Sequence, residues 1–138
     1  VSIRFLLPII EEHSCILLKV EGDSLLVIFR SVTEAIECAV AMQGCAKEYN
    51  HQRAENEQLL LCIGLGYGDV LRIGDSDVFG AEVNAASKLG EDTARAHEIL
   101  LTGAVKKAAN ENMNACFESI DTVPPGADSA YRLRYDNT

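Results

Sequence analysis

The stretch that decides the fold runs from residue 59 to residue 88 and reads LLLCIGLGYGDVLRIGDSDVFGAEVNAASK. It opens with an apolar run, residues 59–63, which predicts a strand buried on both faces. Residues 70–73 predict a second short strand that pairs with the first as a hairpin. An acidic loop with glycines, residues 74–80, comes next, followed by a helix over about residues 81–89.

Three glycines, Gly64, Gly66 and Gly68, follow the apolar run. Because glycine has no Cβ, the backbone there can come close to a ligand or to a neighbouring strand. The pattern predicts a close approach and leaves open which of the two it serves.

Asn84 and Lys88 are four residues apart on the predicted helix, so they project from the same face. An amide and a cation presented together beside an acidic loop could hold a phosphate ester. They can also be ordinary polar residues of a surface helix, and spacing alone favours this second interpretation.

The bulk composition excludes several classes of protein. The chain has 138 residues, enough for one domain with one core, and its 48% apolar content excludes a disordered chain. A net charge of −9 argues against binding nucleic acid through a basic surface. The sequence shows no membrane-length apolar run and no signal-peptide pattern. We therefore expect a cytoplasmic domain, alone or as part of a larger or membrane-tethered protein.

The five cysteines show no spacing typical of metal sites. Cys15 and Cys62 lie in apolar strand-like runs, and Cys38 lies on the apolar side of a helical pattern. We predict that all five, which include Cys45 and Cys116, are small buried hydrophobic residues in a reducing compartment.

Residues 15–29 predict a pair of strands, CILLKVE and SLLVIF, joined at Gly22-Asp23 by a two-residue hairpin turn. On spacing alone, Asp23 is a turn residue. Lys19 lies inside an apolar strand, where an unpaired ammonium group would be costly. It is either an edge lysine that guards against aggregation or a cation that faces a ligand, and both remain open.

Helical spacing and a capping-box pair, Ser31 and Glu34, predict a helix over residues 31–49. Its predicted buried face comprises Val32, Ile36, Ala39, Val40 and Gln43. A polar connection, residues 50–58, follows.

The remaining elements alternate between strands and helices. We predict a strand over residues 98–101, a helix capped by Thr102 and running to about Ala109, and further strands over residues 116–123 and 131–135. Pro124-Pro125-Gly126 predicts the turn between those last two strands. The pattern is that of an α+β fold with helices packed on one sheet.

Three segments then carry a resemblance to a family. In order, they are KVEGDSLLVIF, IGLGYGDV and DVFGAEVNAASKLGEDTARAHEILLT. From about Ile10 to Thr102, the chain resembles the catalytic domain of class III nucleotide cyclases. The most specific part is the run Asp-x-x-Gly-x-x-Val-Asn-x-Ala-Ser followed by Glu-Ile-Leu-Leu-Thr.

This resemblance implies a ferredoxin-like core with an antiparallel-rich sheet, residues 1–138 forming a single catalytic domain. It implies a two-fold homodimer with active sites at its interface. The implied activity is that of an adenylate cyclase, in which the ribose 3′-hydroxyl of ATP attacks the α-phosphate. The products are 3′,5′-cyclic AMP and pyrophosphate, and two Mg²⁺ or Mn²⁺ ions assist. The alternative is a cyclase-like dimerisation or nucleotide-sensing module without activity.

The resemblance also assigns roles position by position. Asp23 matches a metal-binding aspartate, and Lys19 with Asp77 matches the pair that reads the base. Asn84 matches the asparagine that orients the ribose. Lys88 stands where an arginine normally contacts the α-phosphate.

The chain departs from the family pattern in three places. The missing first metal aspartate and Lys88 favour the inactive alternative, whereas the four other matched residues favour the enzyme. No residue matches the first metal aspartate. The strand-like residues 1–5 abut a helical pattern without a turn, so either they are a frayed end or a loop is absent between Phe5 and Leu6. Lys88 lacks the planar two-donor fork of arginine. The late triphosphate-binding lysine has no counterpart, although Arg132 or Arg134 could substitute for it.

Overall fold

A computed structural model of the chain describes residues 7–12, 15–21, 24–51, 53–73, 77–112 and 116–135. It divides into two compact units, Val1–Leu61 and Cys62–Thr138. Helices and strands are interleaved in both units, which confirms the predicted α+β class.

The first unit contains α1 (Leu7–Glu11), β1 (Cys15–Glu21), β2 (Ser24–Phe29) and α2 (Val32–Asn50). β1 and β2 pair antiparallel, with Glu21 opposite Ser24, so the predicted hairpin is confirmed. Its two turn residues, 22 and 23, lie outside the described residues. The register shifts between Leu17 and Lys19, which places an irregularity in the pairing beside the lysine that the sequence singled out.

The start and the buried face of α2 follow the sequence closely. The Ser31 hydroxyl oxygen accepts a hydrogen bond from the Glu34 amide at 3.1 Å, as the capping pattern predicts. Most of the predicted face is buried, but Val40 is only half-buried and Cys38 is fully buried. The buried residues of the helix are Val32, Ile36, Cys38, Ala39, Gln43, Ala46 and Asn50.

The apolar run after α2 does not form the predicted strand. Leu59 is buried against α2, but Leu60 is 60% exposed, so the run is not buried on both faces. The Asn50 amide donates to the Leu59 carbonyl at 2.8 Å and accepts from the Leu59 amide at 2.6 Å. Because this side chain occupies both backbone groups of Leu59, no sheet partner is needed there. Asn50, predicted as the first residue of the polar connection, instead ends α2 and is buried.

The second unit contains β3 (Ile63–Leu65), β4 (Leu71–Ile73), β5 (Asp77–Phe79), α3 (Ala81–Lys88), β6 (Ile99–Thr102), α4 (Gly103–Asn112), β7 (Cys116–Ser119) and β8 (Ala130–Arg134). β3, β6, β8 and β7 form a four-stranded sheet in that order. β3 runs parallel to β6, and the other two pairings are antiparallel.

The hairpin predicted between residues 59–63 and 70–73 is wrong. β4 pairs antiparallel with β5 in a separate two-stranded ribbon, and β3 pairs with β6. The physical reason is burial, since every residue of β6 is buried whereas Leu71 of β4 is 61% exposed. Part of the predicted acidic loop, Asp77–Phe79, is therefore a strand.

The C-terminal elements largely agree with the sequence. The Thr102 hydroxyl oxygen accepts from the Val105 amide at 3.4 Å and so caps α4, which runs beyond Ala109 to Asn112. The predicted turn is confirmed, since the Ala127 amide donates to the Pro124 carbonyl and Gly126 has a φ of 93°. β7 ends at Ser119, four residues earlier than predicted.

The prediction that the cysteines are buried is only partly confirmed. Cys38 is buried, Cys45 and Cys62 are half-buried, and Cys116 is exposed on β7. Within the described ranges, no helix is long and apolar enough to cross a membrane.

The contacts of Asn50 generate a prediction about stability. Replacing Asn50 with Ala leaves the Leu59 amide and carbonyl without partners next to the core, so we expect the free energy of unfolding to fall by about 2–3 kcal/mol. Urea unfolding measures it. His51→Ala, at the next and exposed position, is the control and should change stability by less than about 0.5 kcal/mol. Equal stability of the two variants would contradict the role of Asn50.

Candidate functional site

Helix α3 presents the two residues that the sequence placed on one face. Asn84 and Lys88 are both exposed, whereas Ala85 and Leu89 are completely buried. Leu89 packs in a core cluster with Leu100 and Ala130. The core contacts thus fix the rotation of α3 and turn the amide and the ammonium group outward together.

Glycines within and just after β3 allow this helix to pack closely against the sheet. A Cβ on Gly64 would collide with the carbonyl oxygen of Ala86 and lie 2.6 Å from the amide nitrogen of Gly90. A Cβ on Gly66 would collide with the carbonyl oxygen of Glu82. The close approach that the sequence predicts is real, but its partner is a helix, and neither a ligand nor a strand is required to explain it.

Lys88 is held by an ion pair at the end of α3. The helix continues into a π-helical turn, Leu89–Thr93, and Asp92 in that turn lies 3.2 Å from the Lys88 ammonium nitrogen. The two side chains are 60% and 58% exposed. An exposed pair of this kind contributes about 0–1 kcal/mol, so a phosphate could displace Asp92 at little cost.

The other predicted site residues are placed by their backbones alone. Asp77 opens β5, in the strand directly before α3, and pairs with Ile73. Lys19 lies on β1, in the Val1–Leu61 unit. Asp23 and the junction between Phe5 and Leu6 lie outside the described residues.

Arg132, suggested as a triphosphate ligand, is already engaged by two carboxylates. Its Nε lies 2.6 Å from Glu98 Oε2, and its Nη1 lies 2.5 Å from Glu118 Oε1. The guanidinium faces a polar cleft of about 430 Å³, but its charge is balanced within the sheet. Arg134, at 3.3 Å from Glu118 and 63% exposed, is the better candidate of the two.

Sequence reasoning treated Glu98 only as the start of a strand. Its carboxylate accepts from the Arg95 amide at 2.8 Å as well as from Arg132. Burial, and then the charge of Glu98, raise the pKa of the Cys62 thiol and of the Tyr135 hydroxyl, which donates to the His97 carbonyl. The raised pKa favours the protonated form of both groups at neutral pH.

A second missed residue is Glu82, on the first turn of α3. Its Oε1 accepts from the Tyr67 amide at 2.8 Å and from the Thr102 hydroxyl at 2.6 Å. The sequence carries no signal for a contact between residues twenty positions apart.

Metal ligands do not gather in the described part of the chain. No group of three or more His, Cys, Asp or Glu side chains in these ranges could hold an ion. The predicted metal ligand, Asp23, lies outside these ranges.

Most of this chain matches the sequence profile of a known family. The sequence profile of the family described as adenylate and guanylate cyclase catalytic domain matches residues 3–126. The chain belongs to this family. Cyclase domains of this class bind nucleotides, generally use divalent metals and usually act as dimers.

Other proteins resemble this cyclase domain in sequence or fold. The serine/threonine-protein kinase pkn2 of Myxococcus xanthus is 36% identical over 107 residues, which cover 78% of this chain and 13% of that protein. The chain thus spans about an eighth of the length of this curated relative.

Solved structures show the same fold. An adenylate/guanylate cyclase/hydrolase from Silicibacter pomeroyi superposes with a TM-score of 0.79 at 22% identity, covering 96% of this chain and 79% of that one. The adenylyl cyclase CyaB from P. aeruginosa gives a TM-score of 0.73 at 20% identity, covering 97% and 79%. These likenesses confirm the predicted fold class.

The close packing of α3 against Gly64 generates a prediction about the stability of this domain. Gly64→Ala forces a methyl group against backbone atoms of α3, so we expect a loss of about 2–3 kcal/mol in the free energy of unfolding. Gly44→Ala is the matched control, because a Cβ at that exposed helical position meets no atom within 4 Å. It should stabilise the chain by about 0.5–1 kcal/mol. A Gly64→Ala variant as stable as the wild type in urea unfolding would contradict the close packing of α3.

Proposed function

We propose that residues 1–138 form the catalytic domain of an adenylate cyclase, which converts ATP to 3′,5′-cyclic AMP and pyrophosphate. The observation that carries this proposal is the exposure of both Asn84 and Lys88 on α3, within residues 3–126 that the family profile covers. The domain would act in the cytoplasm, as part of a longer signalling protein. The small share of the pkn2 kinase that it covers supports this last point.

The two outward residues suit different parts of the substrate. The Asn84 amide both donates and accepts hydrogen bonds, as a ribose requires. Lys88 is one helical turn further on, so its Cα is offset by about 6 Å along the helix axis. It would meet the α-phosphate, where negative charge develops in the transition state, and fixed positive charge at that point speeds the reaction.

The ion pair with Asp92 fits this role. Both partners are exposed, so the pair adds little stability, and a triphosphate offers Lys88 a more highly charged partner. Lysine binds a phosphate as a point charge and lacks the two-donor fork of arginine. We therefore propose that Lys88 fills the arginine position with lower efficiency.

Metal and assembly complete the proposal. Mg²⁺ or Mn²⁺ suits a carboxylate such as Asp23, since these ions prefer oxygen ligands. When bound, the cations would activate the ribose hydroxyl and neutralise the triphosphate. The functional unit would be a homodimer with active sites at its interface.

Incubation of the purified domain with ATP and Mg²⁺ or Mn²⁺ tests the proposal. Formation of cyclic AMP with stoichiometric pyrophosphate supports it. Asp23→Asn is the negative control, because asparagine keeps the turn and removes the charge that would bind the metal. If the folded domain binds ATP and yields no product with either metal, the chain is the inactive cyclase-like module.

The role of Lys88 gives a kinetic prediction. Lys88→Ala should lower kcat by about 10²–10³-fold and change KM little, because the charge acts mainly in the transition state. Lys88→Arg should keep or raise kcat. Lys107→Ala, an exposed lysine on α4, is the control for loss of a surface charge. An unchanged kcat in Lys88→Ala would make Lys88 an ordinary residue of a surface helix.

Base selection gives a further prediction, which depends on Lys19 and Asp77. Adenine offers an acceptor at N1 and donors at its 6-amino group, which an ammonium and a carboxylate can satisfy. Guanine offers a donor at N1 and an acceptor at O6, so both partners would be mismatched. Each mismatch costs about 1–3 kcal/mol. We expect kcat/KM to favour ATP over GTP by a factor on the order of 10⁴.

The variant Lys19→Glu/Asp77→Cys tests that preference. It should relax or invert the ratio of kcat/KM for ATP to that for GTP. If the ratio stays at its wild-type value, Lys19 is an edge lysine that guards the strand, and base reading lies elsewhere in the domain.

A further inference from the structure

A single carboxylate oxygen connects three segments of the Cys62–Thr138 unit. Glu82 Oε1, on the first turn of α3, accepts from the Tyr67 amide at 2.8 Å and from the Thr102 hydroxyl at 2.6 Å. Tyr67 lies in the loop after β3, and Thr102 ends β6. The contact therefore extends from α3 to the ends of two neighbouring strands of the sheet.

The Thr102 hydroxyl group takes part in two hydrogen bonds, one as an acceptor and one as the donor to Glu82. Thr102 is completely buried, and its oxygen accepts from the Val105 amide at 3.4 Å. Its one proton is thus available for Glu82, whose oxygen accepts in both of its contacts. Because a carboxylate acceptor strengthens a hydrogen bond, this link is stronger than one between neutral groups.

Two glycines leave room for the Cβ and Cγ atoms of Glu82. A Cβ on Gly68 would lie 2.9 Å from Glu82 Cγ, and a Cβ on Gly66 would lie 3.3 Å from Glu82 Cβ. The side chain runs directly over the backbone of the loop after β3. Any residue larger than glycine at these positions would push the carboxylate away from its two donors.

We propose that Glu82 is a positioning residue that fixes α3, and with it Asn84 and Lys88, relative to the sheet. The proposal rests on the cyclase function proposed above. Glu82 would touch neither substrate nor metal, and it would act through the two residues that the helix presents outward.

The helix needs such an anchor because it is short. α3 has eight residues, fewer than an isolated helix needs to be stable in water. The residue before it, Gly80, has no side chain with which to cap the helix. Its position comes from the buried side at Ala85 and Leu89 and from the first-turn carboxylate, whose charge also suits the helix N-terminus.

Kinetics of three variants test the proposal. Glu82→Ala removes the acceptor, and a catalytic group displaced by about 1 Å can lose on the order of 10²-fold in rate. We expect kcat to fall about 10- to 100-fold at a temperature where the variant is folded. Glu82→Gln keeps an amide oxygen that can accept both bonds, so it should retain most of kcat. Glu37→Ala, at an exposed position of α2, is the control.

A double variant separates positioning from loss of stability. If Glu82 acts through Lys88, then Glu82→Ala should lower kcat much less in a Lys88→Ala background than in the wild type. An equal loss in both backgrounds, or an unchanged kcat in Glu82→Ala alone, would overturn the proposal while the cyclase activity of the wild type stands.

Hydrogen exchange provides a readout that does not require activity. In Glu82→Ala, the Tyr67 amide and the amides of α3 should exchange faster than in the wild type, and Glu82→Gln should restore most of the protection. Unchanged exchange would overturn the proposal. A wild-type domain without cyclase activity would refute the proposed function instead, and the exchange data would then show by themselves whether Glu82 fixes α3.

Discussion

The arrangement of the Cys62–Thr138 unit depends on the close approach of β3 and α3 at Gly64. Backbone atoms of Ala86 and Gly90 occupy the space that a side chain at Gly64 would need. With the helix this near the strand, Leu89 can reach the core beside Leu100. The opposite face of the helix, which carries Asn84 and Lys88, is then exposed. A steric constraint on one glycine thus determines which side chains of α3 face outward.

Electrostatics distinguishes the cations that are available to a phosphate from those that stabilise the sheet. Arg132 lies between Glu98 and Glu118 at 2.6 and 2.5 Å, and its side chain is 31% exposed. Taking it from both carboxylates would remove the Arg132 contact from Glu98 and leave Glu118 with Arg134, which is costly where the groups are partly desolvated. Lys88 has one exposed partner and loses little when that partner is replaced. In a chain of net charge −9, a triphosphate has to be bound by such local positive groups, since the overall field repels it.

The local sequence pattern was sufficient to predict features that depend on residues close together in the sequence. Ser31 capping α2, Thr102 capping α4 and the shared face of Asn84 and Lys88 all depend on residues three or four apart. Pattern failed where the partner is distant. The apolar run at Leu59 favours a strand on composition, but the Asn50 side chain, nine positions away, satisfies its backbone instead.

The choice of strand partner shows the same limit. The sequence around β3 and β4 suggests a local hairpin, whereas β3 pairs with β6, more than thirty residues further on. The completely buried strand β6 offers more apolar contact than the exposed β4, and that advantage exists only once the sheet has formed. Glycines 64, 66 and 68 were correctly recognised as sites of close approach, but the helix that approaches could not be identified before the topology was known.

The two charged contacts of α3 differ in what they can do for the site. The Lys88–Asp92 pair joins neighbouring turns and is exposed, so it cannot fix the helix relative to the sheet. Glu82 reaches out of the helix to Tyr67 and Thr102, and hydrogen bonds to a charged group contribute about 1.5–3 kcal/mol each. Of the stabilisation that charged contacts give α3, the larger share therefore comes from the N-terminal turn. Because Lys88 takes little part in holding the helix, it can exchange its carboxylate partner for a phosphate without loosening the structure that presents it.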